Sequence, residues 1–395
     1  MLVDKISCTG CSACFSVCPT GAIAMQQDGE GFFHPAIDAE KCISCGLCEK
    51  ACPLMNPVET RPVREVYACY SVENSNRMDS SSGGVFSVLA EQVLKNGGVV
   101  FGATFDGTYN VLHHVGIEDA AELAKLRGSK YVQSNLRNVF REIQKLLREK
   151  KYVLFVGTPC QVAGLRSVAK QNIAYLLTAE FVCHGVPSPA VWDRFLREIT
   201  PDKSKVRDLR FRDKKMGWTK YSMKVLFENG NVYLSNVEEN PYLQGFLSGL
   251  YMRASCYKCP FRKKQRIGDF MMGDCWGIEH MTDDARFLTN EGVSLLSIQS
   301  NLGKTVWQMI QSRLYVKKID YMQVMKYNRA IISDSYHHLH REEFFKRMKQ
   351  EETPVSRIIR EESYLNIRER IQRRLWGGRE LMRNWCIRNL DKKFF

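Results

Sequence analysis

Two cysteine runs near the N-terminus constrain this chain more than anything else in it. Residues 8 to 19 read Cys8-x2-Cys11-x2-Cys14-x3-Cys18-Pro19, and residues 42 to 53 repeat the pattern as Cys42-x2-Cys45-x2-Cys48-x3-Cys52-Pro53. Three closely spaced thiolates wrap one iron-sulfur cubane, and the next turn carries a fourth toward a neighbouring cluster. The spacing predicts two 4Fe-4S clusters with exchanged fourth ligands. Cys8, Cys11, Cys14 and Cys52 hold one, and Cys42, Cys45, Cys48 and Cys18 hold the other. Gly10 and Gly46 allow the tight backbone turns that point amides at the sulfides. Zinc knuckles do not share a ligand in this way.

The rest of the composition agrees with a metal role for the cysteines. The chain has 395 residues, 15 of them Cys, which is long for a disulfide-stapled fold. Its first residues, Met1-Leu2-Val3-Asp4-Lys5, lack an apolar targeting segment. No stretch reaches the roughly 18 uninterrupted apolar residues of a membrane span. A reducing, cytoplasmic setting is expected. The formal charge of +14 is uneven. Residues 1–55 carry Lys5, Lys41 and Lys50 against Asp4, Asp28, Glu30, Asp38, Glu40 and Glu49. An acidic head on a basic body points to intramolecular docking or to a basic surface for anionic partners. Without a binding module, basic charge is no sign of nucleic-acid binding, and none is expected.

Three segments follow along the chain: a cysteine-rich domain over 1–57, a body over 65–341 and a basic helical tail over 342–395. Pro57 and Pro62 mark the linker between the first two. In the body, apolar runs at 66–70, 98–102, 152–156 and 173–177 predict buried strands, and 85–95, 139–149 and 189–199 predict helices. That alternation describes an α/β layer with a mixed or parallel sheet. Residues 221–234 predict a hairpin round an Asn229-Gly230 turn. The expected class is α+β: a two-cluster bacterial ferredoxin domain fused to an α/β domain with a helical C-terminal tail.

The body carries further motifs in a fixed order. They are Arg77-x3-Ser81-Ser82-Gly83-Gly84-Val85-Phe86, Arg127-Gly128-Ser129-Lys130-Tyr131, Gly157-Thr158-Pro159-Cys160-Gln161, Cys183-His184-Gly185-Val186-Pro187, Cys256-x2-Cys259-Pro260 and Gly273-Asp274-x-Trp276-Gly277. Together with the head they resemble the family of coenzyme F420 hydrogenase/dehydrogenase beta subunits, which includes plant 7-hydroxymethyl chlorophyll a reductase and ferredoxin-fused bacterial members. The resemblance runs from Cys8 to about Phe345. It implies a flavoprotein with FAD, a further 4Fe-4S cluster in the body, and oxidation or reduction of an organic substrate at the flavin.

Small hydroxyl residues and glycines before a helix form an anion cradle of backbone N–H groups, so Ser81, Ser82, Gly83 and Gly84 suit a pyrophosphate. Read alone they also suit a plain serine N-cap. Gly128, Ser129, Lys130 and Tyr131 offer a hydroxyl, a cation and an aromatic face, and read alone they also suit an ordinary loop. The resemblance assigns both segments to FAD. Cys160, Cys183, Cys256 and Cys259 are the candidates for the body cluster. Cys160 and Cys183 each follow an apolar strand, where ligands gather on α/β sheets. Cys275 competes with Cys183 for the fourth place. Zinc on the same four thiols is the alternative. Cys69 and Cys386 read as incidental thiols. His184 is either a proton carrier or a structural turn residue, and no catalytic residue is assigned. His337-His338-x-His340 reads as the approach to a helix.

In the tail, Leu375-Trp376, Leu381-Met382, Trp385 and Ile387 with interleaved Arg suit helices packed on the body, or a weak membrane-surface association. The expected activity is an iron-sulfur flavoprotein oxidoreductase. It would pass electrons from reduced ferredoxin or a similar redox carrier through 4Fe-4S clusters to FAD and a small organic substrate, F420-like or related to polysaccharides. The alternative is an electron-transfer subunit whose chemistry lies on a partner.

Overall fold

The computed structural model describes residues 2–201, 204–350, 352–365 and 367–377. In the head, helix α1 (Ala13–Val17) and helix α2 (Leu47–Lys50) flank an antiparallel pair, β1 (Ile23–Gln27) and β2 (Phe33–Ile37). Both cysteine runs turn into their helices through a left-handed residue, Ser12 at φ 61° and Gly46 at φ 69°.

The body begins with β3 (Glu65–Ser71), α3 (Asn74–Asp79), α4 (Val85–Lys95), β4 (Val99–Phe105), β5 (Leu112–Ile117), α5 (Val139–Arg148), β6 (Val153–Gly157), α6 (Pro159–Val168), β7 (Leu176–Phe181) and α7 (Pro189–Ile199). It continues with β8 (Val206–Asp213), β9 (Ser222–Phe227), β10 (Val232–Asn236), α8 (Pro241–Leu247), β11 (Phe270–Asp274), β12 (Ser294–Ile298), α9 (Asn301–Ile310), β13 (Leu314–Lys318), α10 (Tyr321–Tyr327), α11 (Arg341–Gln350) and α12 (Val355–Ser363).

Eight strands form one sheet in the order β13-β3-β12-β11-β7-β6-β4-β5. β4, β6, β7 and β11 pair in parallel, and β12 runs against both β11 and β3. β3, β4, β6, β7 and β11 therefore end at the same edge, the edge where ligands sit on such sheets. The central strands are mostly apolar because both faces are covered, with Thr178, Glu180, Ser294 and Ser297 as buried polar exceptions. Val88, Leu89 and Val93 of α4 pack on one face with Trp307 and Ile310 of α9. Phe140, Ile143 and Leu147 of α5 pack on another layer with Val162 and Leu165 of α6. The expected helix 85–95 and the hairpin at Asn229-Gly230 are both present. The expected strand at 173–177 starts later, at Leu176. Asn172 takes a left-handed conformation (φ 49°), which throws Ile173–Tyr175 into a 3-10 turn first.

The smaller sheet, β10-β9-β8, builds its own core with α7 and α8 around Trp192, Phe211, Tyr242 and Phe246. The tail joins this core, since Phe344, Phe345, Val355, Ile358 and Ile359 are buried in it. Trp376 packs edge-on against Tyr336 at 5.4 Å. Leu381, Met382, Trp385, Cys386 and Ile387 lie outside the described residues.

The head is seated on the body by polar clasps. Arg253, 1% exposed, donates from Nε to the Cys8 carbonyl at 2.7 Å and from Nη1 to the Phe33 carbonyl at 3.0 Å, and meets His34 with Nη2 at 3.1 Å. Arg141 donates to the carbonyls of Phe15, Ser16 and Cys18. Gln133 accepts from the Phe33 amide at 3.0 Å, and Ser167 donates to the Ala51 carbonyl at 2.7 Å. Glu30 of the acidic head pairs with Arg341 at 2.5 Å.

Candidate functional site

The carboxyl edge of the sheet is where the body's motifs meet. Thr158 caps α6, and its side chain and that of Gln161 close a reciprocal capping box. This fixes Cys160 in the first turn of the helix, with its sulfur 3.0 Å from the Thr158 hydroxyl. Cys183 follows β7, and Cys256 and Cys259 follow α8, Cys256 closing a 3-10 turn. Gly185, at φ 126°, lets the Cys183 turn come close, since a Cβ there would stand 3.2 Å from the Cys256 Cβ.

All four thiols line one cavity and feel one another's charge. Burial, with the neighbouring thiols, pushes Cys256 up to about 12 and Cys160 well above its usual value. Four thiols gathered in this way match the ligand count of an iron-sulfur cubane, whose cationic core would stabilise them as thiolates. Among the described residues, no three His, Cys, Asp or Glu side chains close to the spacing of a single metal ion. Cys275 lies elsewhere, fully buried, with Cys69 as the thiol it interacts with.

In the head, Cys11 and Cys14 are half-buried, and each interacts with Cys8 and Cys52, the four thiols that the spacing groups together. Burial pushes Cys11 up to about 12. This quartet faces the body. Gly164 of α6 abuts Cys11, and a Cβ there would be 3.1 Å from its sulfur. Thr9 and Gly10 reach the wall of the body cavity. Cys42 and Cys45 are exposed, and Cys48 interacts with both. Cys18, at the end of α1, makes a sulfur contact with Thr20 at 3.7 Å.

The two cradle segments line the same cavity of about 600 Å³, within the range of small-ligand sites. They are clipped together: the Ser129 amide donates to the Ser81 hydroxyl at 2.7 Å. Gly84 at φ 87° and Gly128 at φ 82° turn the backbone there, and the first amides of α4 are left free by helix geometry. Gly83 plays another part. It is wedged between Cys69 and Ser294, and its amide donates to the Ser294 hydroxyl at 2.8 Å. Lys130 turns inward and donates to the carbonyls of Leu126, Arg127 and Gly128, and burial lowers its pKa to about 7. Tyr131 lines the cavity wall.

His184 lines the cavity in the loop that follows β7. Burial drives its ring down to about 4, and its carbonyl is held by Arg262 at 2.6 Å and Ser335 at 2.6 Å. His340 is bound to Glu369 at 2.8 Å. Sequence reasoning missed Arg212, Lys214, Arg253, Arg262 and Trp218. The run Phe211-Arg212-Asp213-Lys214, charged residues beside an apolar one before a Gly-Trp turn, was the available signal for two of them.

The cysteine sets and the parallel-sheet edge define an iron-sulfur redox protein. A family model for the C-terminal part of the coenzyme F420 hydrogenase/dehydrogenase beta subunit matches residues 150–323, and one for the 4Fe-4S dicluster domain matches residues 7–55. A subunit of the F(420)H(2) dehydrogenase of Methanosarcina mazei is 23% identical over 266 residues, 64% of this chain and 71% of that protein. The coenzyme F420-dependent sulfite reductase of Methanocaldococcus jannaschii is 29% identical over 175 residues, 42% of this chain and 26% of that protein. A chain of the F420-reducing nickel-iron hydrogenase complex from Methanosarcina barkeri aligns with a TM-score of 0.42 at 15% identity, over 68% of this chain and 91% of that one. Residues 150–323 are thus similar to the C-terminal part of coenzyme F420 hydrogenase/dehydrogenase beta subunits, and residues 7–55 form a 4Fe-4S dicluster domain at the head.

Proposed function

We propose that this protein is an iron-sulfur flavoprotein oxidoreductase that moves electrons between a carrier such as reduced ferredoxin and a small organic substrate. The observation that carries the reading is the shared cavity, lined at once by Cys160, Cys183, Cys256, Cys259 and by the two cradle segments. Cys42, Cys45 and Cys48, with Cys18, would hold the outer cluster, where a carrier can approach two exposed thiols. Cys8, Cys11, Cys14 and Cys52 would hold the inner one, against the body, and the four body cysteines a third. Ser81, Ser82, Gly84, Gly128, Ser129 and Tyr131 would hold FAD. Gly83 supports that loop from behind, and Lys130 braces its partner.

Iron-sulfur clusters supply one-electron steps, and a flavin exchanges one or two electrons with an organic substrate. The chain's own work is spacing and enclosure. Buried Arg253 and Gln133 hold the head in place, and Arg262 sets a positive charge beside Cys183. The substrate would be F420-like or polysaccharide-related. The setting would be a reducing cytoplasm. Among the described residues, no helix is long and apolar enough to cross a membrane.

A second reading, an electron-transfer subunit, is favoured by one relative being named a dehydrogenase subunit. A stable complex that turns over while the isolated chain does not would select it. The primary test is anaerobic purification with iron, sulfide and flavin measured on one sample. About twelve iron and one FAD per chain are expected, as each cubane holds four irons. About eight iron and no flavin would leave only the head's clusters and sink the reading.

A further inference from the structure

One group on the cavity wall has no part in the electron path just described. Arg212 stands near the end of β8 with its side chain 3% exposed. Its Nη1 pairs with the Asp274 carboxylate, whose other oxygen accepts from Trp218 Nε1 at 2.7 Å. Its Nε and Nη2 are buried and have no hydrogen-bond partner. The Tyr131 phenol stands beside the guanidinium, whose charge and side-chain hydrogen bonding oppose the effect of burial on it, but it does not reach hydrogen-bond geometry with Nε or Nη2. Buried donors of a cation are costly to leave unpaired, and a bound acceptor removes that cost.

The two free donors are neighbours. Nε–H and Nη2–H point the same way from one edge of the guanidinium plane, the edge that grips an oxyanion through two parallel hydrogen bonds. The plane itself is fixed. Tyr221 lies 4.5 Å from it, Trp276 lies 5.5 Å from it, and Trp276 is stacked on Trp218 at 4.6 Å with 7° between the rings. Asp274 holds the opposite corner and so orients the free edge. Local charge agrees. Asp274 balances Arg212, while Lys214, buried two residues on, donates only to the carbonyls of Arg77, Ser82 and Glu291. A positive surplus remains beside the cavity.

We propose that Arg212 is an oxyanion-binding residue, its Nε/Nη2 edge gripping a carboxylate or phosphate of a molecule held in the cavity. The proposal rests on the reading of that cavity as the flavin and substrate site. Two sources carry the same chemistry: a phosphate of the flavin dinucleotide, or an acid group on the substrate, whose flat carboxylate suits the indole face of Trp276.

The experiment uses the full chain with its clusters, and compares the wild type with Arg212→Gln and Arg212→Lys. Flavin-free protein is titrated with FAD, with riboflavin, which lacks phosphate, and with inorganic phosphate. FAD-loaded protein is titrated with benzoate. A loss of FAD affinity of about tenfold to a hundredfold in Arg212→Gln, with riboflavin unchanged, assigns the edge to the cofactor phosphate. An equal loss for benzoate, with FAD unchanged, assigns it to a substrate carboxylate. Arg212→Lys keeps the charge without the fork, so it should recover only part of the loss. If Arg212→Gln does not fold, Arg212→Lys alone decides, and a drop of several-fold is expected. Unchanged affinity for every probe overturns the proposal. Failure of the wild type to bind FAD instead overturns the flavin reading, and the phosphate titration then tests Arg212 by itself.

Discussion

Replacing Arg253 by Met should loosen the head without unfolding the body. The guanidinium makes three contacts across the junction, to the Cys8 and Phe33 carbonyls and to His34, and it is buried. Hydrogen bonds from a charged donor are worth about 1.5–3 kcal/mol each, but releasing a buried cation recovers part of its desolvation, so the net loss is about 2–4 kcal/mol. That raises the population of the undocked head roughly 30- to 700-fold, at a factor of ten per 1.4 kcal/mol. Hydrogen exchange reads this directly. The Phe33 amide, which donates to Gln133 across the junction, should lose protection by that factor. The Leu177 amide in the central sheet should not change. Arg253→Lys should fall between, because an ammonium cannot serve three acceptors in the plane of a fork. Unaltered protection at Phe33 in a folded Arg253→Met protein would refute the docking argument.

Three further outcomes are expected. Cys183→Ser should lower iron by about four per chain after anaerobic reconstitution, whereas Cys275→Ser should leave it unchanged. Equal losses would mean that the thiol beside Cys69 is also a ligand. Gly83→Ala should give little soluble protein, because its Cβ would stand 2.7 Å from the Ser294 backbone nitrogen. A variant of normal melting temperature would contradict that close approach. Asp269 is held by Arg61 at 2.6 Å and Arg166 at 2.7 Å, and accepts from the Thr178 amide at 2.8 Å. Burial alone would raise its pKa, but Arg166 and the other donors prevail and hold it below the ordinary 3.8. Its contribution is therefore fully present above that value and is lost as pH falls through the lower folded value. Asp269→Asn should cost about 3 kcal/mol or more at neutral pH, because it removes the carboxylate that pairs directly with largely buried Arg166 and with Arg61. Unfolding free energies measured from about pH 6 downward should converge for the two proteins in acid. A gap that stays constant with pH would show that the carboxylate charge is not what matters.

Short-range pattern made much of this molecule readable. α4 could be bounded because Gly84 opens it and Asn96-Gly97 ends it, and the hairpin because Asn229-Gly230 sits between alternating strands. Cys160 and Cys183 could be placed at strand ends, since apolar runs precede both. What could not be read is what distant segments do to each other. β8, β12 and β13 have no strong alternation of their own, and their places depend on β3, β9 and β11. Arg253 looks like any basic residue before a Cys-x2-Cys pair until the head lies against it. Lys130 in a Gly-Ser-Lys-Tyr string suggests a phosphate ligand, yet three carbonyls from its own loop meet its ammonium.

Helix α6 also sets a distance. Cys160 lies in its first turn and Gly164, one turn later, touches Cys11 of the inner head quartet. One turn of α-helix advances about 5.4 Å. The separation between a thiol of the body quartet and the surface that receives the head is thus a covalent ruler, stiffened by the hydrogen bonds of a single turn. Electron tunnelling falls off exponentially with distance, so a gap set this way tolerates small motions elsewhere in the fold. Rocking of the head changes how often that contact is made. It would leave almost untouched how far an electron on the proposed path has to travel once contact exists.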